Sequence, residues 1–296
     1  MDAPRIKFYK LRDFGAKMNA TIEFLRENIG RLFLNLLFIA GPLALLLSTV
    51  FGNVMGSILD MSQIQDPNEM GNAFSFIGGN YFLMMVISWL AVSMIVTITY
   101  TYIRLYNENA AKQTAITDVL RLSLKKYGGI LLLGFIITIV TVVGMFLFLI
   151  PGIFLAITLS LAYPIYMFED LSVGEAFSRS FKLIKEKWWS TFGLLIISGL
   201  MAYVVQMVFS IPMMAVYFTE LFSVVDDLRG DPEDVSGIFD MFSSGYMTVS
   251  MTVSMIGTYL TYSIPLIALG YQYSNLVERS EGRGLMNEIE DFDKED

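Results

Sequence analysis

Charged residues are missing from five stretches of the chain: residues 32–59, 71–103, 127–168, 188–219 and 241–277. Each is long enough to cross a bilayer core, which takes about 20 apolar residues. The third is long enough to cross twice, and Pro151-Gly152 within it reads as a tight turn at the far membrane surface. The pattern predicts an all-α polytopic membrane protein with six transmembrane helices. These lie near residues 32–52, 81–103, both halves of 128–168, 191–218 and 246–276. Residues 52–80, rich in Asn, Gln and Gly, are expected to form a polar loop, and residues 220–240 an acidic one.

Segments with helical periodicity sit beside these runs. Ser172 and Glu175 have capping-box spacing. Phe177, Phe181, Ile184 and Trp188 follow on one face, with Arg179, Lys182, Lys185 and Lys187 between them. A helix with aromatics on one side and cations on the other suits a membrane interface. Arg179, Lys182, Lys185, Lys187, Trp188 and Trp189 are therefore the candidate contacts to anionic lipid. Phe14, Met18, Ile22, Leu25 and Ile29 share a face before the first span, with Lys17 off it. Ile116, Val119, Leu120, Leu124 and Tyr127 do so before the third, which makes about three amphipathic interfacial helices. Aligning Ile29, Tyr127 and Trp188 brings Met18, Ile116 and Phe177 into register. This register predicts a threefold parallel repeat of interfacial helix plus two-span hairpin, over residues 14–103, 112–168 and 172–276. All three lie in a single membrane domain, 1–276, followed by an acidic tail, 277–296, expected to be disordered.

Composition supports the membrane reading: 55% of residues are hydrophobic, only 16% are charged, and mean hydropathy is +0.58. Of the 20 Lys and Arg, 19 fall on the amino-terminal side of this scheme and only Arg229 on the other. The positive-inside rule then puts both termini in the cytoplasm. The polar, basic leader before residue 32 does not read as a cleavable signal. The chain has no His and no Cys, which removes the commonest general base, the commonest metal ligand and any disulfide. The net charge of −8 argues against a nucleic-acid partner.

The spans carry no ionisable Asp, Glu, Lys, Arg or His, unlike transporters that relay charge at the midplane. Tyr203, Gln206, Tyr259 and Tyr262 are the candidate lining for a neutral or lipid-like ligand, although such groups also hydrogen-bond between helices. The acidic residues from Asp226 to Asp240 lack the spacing of a helix-loop-helix calcium site. No residue pattern marks a catalytic, cofactor or metal site, and no cofactor is expected.

Pro164, Glu169, Ser172, Glu175-Ala176, Ser180 and Trp188, with Pro151-Gly152 upstream, carry a resemblance. This part of the chain resembles the membrane domain attached to some bacterial glycerophosphodiester phosphodiesterases, and uncharacterised six-span bacterial membrane proteins related to it. The opening, Arg12-Asp13-Phe14-Gly15 through Asn28, is similar to stand-alone proteins of that kind from Bacteroidota. The resemblance implies a bacterial inner-membrane location. It implies no activity, because the catalytic domain of those enzymes is absent from this sequence. The expected function is non-catalytic: a scaffold, assembly or regulatory subunit with a basic cytoplasmic face. The alternative is a carrier or flippase-like protein for a neutral or lipid-like ligand. Expected partners are membrane lipids, anionic at the cytoplasmic face, and a membrane protein or a second copy of the chain.

Overall fold

A computed structural model describes residues 6–60, 66–108, 115–230 and 245–286. Among the described residues there is no strand. The helices are α1 (Phe14–Asp60), α2 (Pro67–Glu108), α3 (Ile116–Leu147), α4 (Leu149–Ser160), α5 (Ala162–Phe168), α6 (Val173–Ile184), α7 (Trp188–Gly230) and α8 (Gly245–Glu281). With α4 and α5 taken together, six helical segments are long and apolar enough to cross a membrane. The chain is an all-α multi-pass membrane protein.

It divides into two compact units. The first holds Met1–Leu36, Ser93–Ala202 and Tyr262–Asp296, and the second Leu37–Val92 and Tyr203–Thr261. Helices α1, α2, α7 and α8 pass through both, while α3 to α6 lie wholly in the first.

Several boundaries differ from the expectation. The polar loop expected over 52–80 is largely helix, since α1 runs on to Asp60 and α2 begins at Pro67. Asp66 accepts a hydrogen bond from the Asn68 backbone N–H at 2.8 Å. Pro67 follows at the first helical position, where its missing N–H costs nothing. The Asn and Gly residues after it weaken a helix by less than about 1 kcal/mol each, too little to stop one that has apolar partners. Helix α7 likewise continues through Glu220 to Gly230. The remainder of the acidic loop, residues 231–240, and the end of the tail, 287–296, lie outside the described residues. At the start of the tail α8 extends to Glu281, and residues 283–286 form a further helical turn.

Two of the three expected interfacial helices are not separate elements but the first turns of α1 and α3. Only α6 stands alone. Its capping box forms, with the Glu175 backbone N–H donating to Ser172 Oγ and the Ser172 backbone N–H to Glu175 Oε2.

The apolar stripes at the starts of α1 and α3 are largely exposed, although Met18 and Val119 within them are buried. On α1 the buried residues include Lys17, Thr21, Phe24, Asn28 and Leu32, whereas Phe14, Ile22 and Ile29 are exposed. On α3, Val119, Ser123, Ile130 and Leu133 are buried, whereas Leu120 and Leu124 are exposed. Beside lipid, apolar side chains need no protein cover, which leaves inner positions of α1 to Lys17, Thr21 and Asn28. Helix α6 is the reverse case. Its apolar stripe, Val173, Phe177 and Phe181, packs on Leu133, Ile137, Leu159 and Ala162 of the α3–α4–α5 hairpin instead of meeting lipid.

In the second unit Gln206 joins α7 to α8, donating to the Ser254 carbonyl at 3.1 Å and accepting from Thr261 Oγ1 at 3.2 Å. Ser48 and Thr252 hydroxyls join α1 to α8 at 3.0 Å.

The chain reverses between α3 and α4 at Phe148, whose backbone is extended, and not at Pro151-Gly152. Those two residues lie inside α4, where Gly152 has a different task. A Cβ there would sit 2.5 Å from the Met145 backbone nitrogen and 2.6 Å from its Cα. Gly144 faces the same contact, with its own Cβ position 3.2 Å from the Gly152 Cα. Gly152→Ala is therefore expected to spread the hairpin and cost about 1–3 kcal/mol, the usual range for overpacking. Thermal unfolding in detergent checks this, with Gly174→Ala, where a Cβ meets nothing within 4 Å, as the unaffected control.

Candidate functional site: a polar hub on α8

A group of polar contacts in the first unit gathers on Gly270-Tyr271-Gln272-Tyr273-Ser274-Asn275 near the end of α8. Tyr271 through Asn275 are all buried. A helix segment that is polar on every side and yet buried has to be served by several neighbouring elements.

Together these side chains reach α1, α7, the leader and the α5–α6 junction. The Gln272 amide donates to Thr191 Oγ1 on α7 at 2.8 Å, and its carbonyl accepts from the Lys17 ammonium of α1. Lys17 is only 3% exposed and also donates to Ser190 Oγ at 3.0 Å. Tyr273 donates its hydroxyl to Glu169 Oε1 at 3.0 Å, and its ring stacks on Phe168. Asn275 Oδ1 accepts from the Arg12 backbone N–H at 2.7 Å, and the Arg12 guanidinium lies over the Tyr271 ring. Glu169, with a side chain 6% exposed, is the centre of an ionic cluster. It pairs with Arg179 of α6 and, at 3.9 Å, with Arg283. Glu281 takes the remaining arms of both arginines.

A second cluster lies at the next residue. Asp170 sits at φ 52°, a left-handed conformation that Asp tolerates better than most residues. Its carboxylate accepts from Lys126 at 2.6 Å and from Arg104 at 3.2 and 3.3 Å. The Lys126 hydrogen bond, reinforced by Arg104, holds the Asp170 carboxyl below its usual range. Arg104 also donates to the Met167 carbonyl at 3.1 Å and pairs with Glu108. These groups line a cavity of about 240 Å³ together with Thr101 and Lys125.

Of the six residues proposed to meet anionic lipid, Arg179 is taken up by Glu169 and Glu281. Lys182 and Lys185 are exposed and Lys187 is half-buried. Trp188 stacks on Phe154 and Phe192 and donates to the Phe154 carbonyl at 3.3 Å, whereas Trp189 is 77% exposed. An open cleft of about 510 Å³ runs from Leu171 to Lys182 along the start of α6. Of the four candidate lining residues, Tyr203 is 61% exposed, Gln206 ties two helices together, Tyr259 is buried with its hydroxyl unpartnered, and Tyr262 is 41% exposed.

Sequence reasoning missed the hub by counting residues 270–275 as the end of an apolar span. The usable signal was five successive uncharged polar or aromatic residues with no apolar stripe among them.

The Asp170 contacts carry a pH signature. Its folded-state pKa is lowered, so the stability it contributes is present above about pH 4, the unfolded value, and is lost as pH falls through the folded one. Asp170→Asn is expected to unfold earlier than the parent at pH 7, and the gap should close progressively below about pH 4. Thermal unfolding across pH 3–7 reads this. A gap that stays constant with pH would remove the ionic part of the account.

A family model of a domain of unknown function, DUF7847, matches residues 114–276, from the start of α3 through the hub on α8. Neither the curated proteins nor the solved structures contain a match. The match takes in more than half of the chain, which therefore belongs to the DUF7847 family.

Proposed function

We propose that this is a non-catalytic protein of the bacterial inner membrane, with both termini in the cytoplasm, acting as a scaffold, assembly or regulatory subunit that presents a basic face. One observation carries the reading. The carboxylates at the hub are committed to fixed partners: Glu169 to Arg179, Arg283 and Tyr273, Asp170 to Arg104 and Lys126, and Glu281 to Arg179 and Arg283. A general acid or base needs a pKa tuned toward neutrality, whereas the Lys126 and Arg104 hydrogen bonds hold the Asp170 carboxyl below its usual range. Lys182 and Lys185, in contrast, are exposed on the outer side of α6, and each cation near an anionic surface is worth about 1 kcal/mol. The 19-to-1 partition of basic residues supports the cytoplasmic placement of that face.

The test is to purify the full chain and Glu169→Gln side by side in mild detergent, screen both against phosphodiesters and lipids, and record bound lipids and proteins. The scaffold reading expects no turnover. It also expects anionic lipid or a membrane-protein partner to be retained, with retention reduced in Lys182→Gln/Lys185→Gln. A hydrolytic or transferase activity that purifies with the protein and disappears in a well-folded Glu169→Gln would overturn it.

A further inference from the structure

We infer that the α3–α4–α5 hairpin does not cross the membrane but lies flat in the leaflet on the side of Asp170, with its exposed face against the acyl chains. Where α7 and α8 cross the bilayer, position along them measures depth. Phe168, at one end of α4–α5, stacks on Tyr273 of α8 with ring centroids 5.6 Å apart. Phe154, fourteen residues earlier, stacks on Trp188 at the first residue of α7 and accepts its indole N–H. Thr191, one turn into α7, is hydrogen-bonded to Gln272, the residue next to Tyr273. Both ends of the stretch therefore meet α7 and α8 at nearly one depth. Fourteen helical residues measure about 21 Å, so α4–α5 runs across these helices and not along them.

Charge placement leads independently to the same conclusion. Helix α6 packs along the hairpin, with Glu169 and Asp170 before its first turn and Lys185, Glu186 and Lys187 after its last. If the hairpin stood upright, one of these charged groups would lie about 20 Å from the other along the membrane normal, inside the hydrocarbon, where charged side chains are strongly disfavoured. Lying flat keeps both at the surface.

The same orientation explains what α3 leaves uncovered. Leu132, Phe135, Ile139 and Phe146 are exposed on the side of α3 away from Leu133 and Ile137, which face the packed cluster. The tip is the most exposed apolar point, with Phe146 at 92% and Ile150 at 80%. Helix α6 covers part of the opposite face and carries the exposed Lys182, with the exposed Lys185 just past its end. The layer is thus apolar toward one side and basic on α6, the arrangement that an in-plane element takes at an anionic membrane surface. Four helices cross, α1, α2, α7 and α8. The positive-inside rule cannot reveal this, because a hairpin that crosses twice and one that does not cross leave the termini on the same side.

The chain has no Cys, so Leu132→Cys, Ile139→Cys and Phe146→Cys each carry a single thiol for a nitroxide. The full-length variants are reconstituted in vesicles containing anionic lipid, and collision with oxygen and with a polar nickel complex gives depth by electron paramagnetic resonance. The flat hairpin expects all three labels in hydrocarbon at one depth, within about one helical turn, 5 Å. Ile139 near the midplane, with Leu132 and Phe146 shallow in opposite leaflets, would overturn it. Low accessibility to both reagents at all three sites would show that protein, not acyl chain, covers the face, and would overturn it as well. Phe135→Cys and Val142→Cys give the same readout where a first-choice variant does not fold.

Discussion

The constraint on which the first unit depends is that polar groups buried beside a membrane have no water to fall back on. An unsatisfied amide, hydroxyl or ammonium costs several kcal/mol there, and near the end of α8 protein partners offset that cost. Tyr271 to Asn275 of α8 bring five such residues to one place. Meeting their needs draws in α1 through Lys17, the leader through Arg12, α7 through Thr191, and the α5–α6 junction through Glu169. Helices α1 and α2 are joined in the same manner, with Tyr102 donating to Asn28 at 3.1 Å and Tyr106 to Glu27 at 2.9 Å. The apolar residues left on the outside are not defects of packing, because lipid covers them.

The hub also determines where the hairpin goes. Glu169 and Asp170 sit at the end of α5 and are clamped by Arg179, Arg283, Arg104 and Lys126. With that end fixed, Ala176, Ser180 and Ile184 turn α6 inward, and α6 leads back across the unit to Trp188. The amphipathic pattern of α6 is real, but its apolar side is spent on the hairpin, and the hairpin supplies the apolar surface toward lipid. The basic residues of α6 remain available at the surface, apart from Arg179.

The sequence made the broad architecture legible because charge-free runs of bilayer length have few other uses. The capping box at Ser172 was equally plain, since it depends on two residues three positions apart. Less legible was which side of each helix faces inward. Hydrophobic periodicity marks an apolar stripe without saying whether protein or lipid covers it: on α1 Met18 is buried with Lys17 and Asn28, whereas Ile22 and Ile29 are exposed. Loop boundaries failed where Asn and Gly were read as breakers, although they break a helix only when no partner supports it. The hub was hidden because its logic is tertiary. Gln272 lies 255 positions from its partner Lys17, and Tyr273 lies 104 positions from Glu169, so no local spacing links either pair.

The claim that buried polar pairing organises the unit is tested most directly at Lys17 and Gln272. A double-mutant cycle of Lys17→Met, Gln272→Leu and the pair, read by thermal unfolding in lipid nanodiscs, measures how strongly the two depend on each other. A hydrogen bond to a charged group contributes about 1.5–3 kcal/mol. The expected result is therefore a coupling of about 1 kcal/mol or more, with the double variant more stable than the sum of the single losses implies. Losses that simply add, within about 0.5 kcal/mol, would contradict the account.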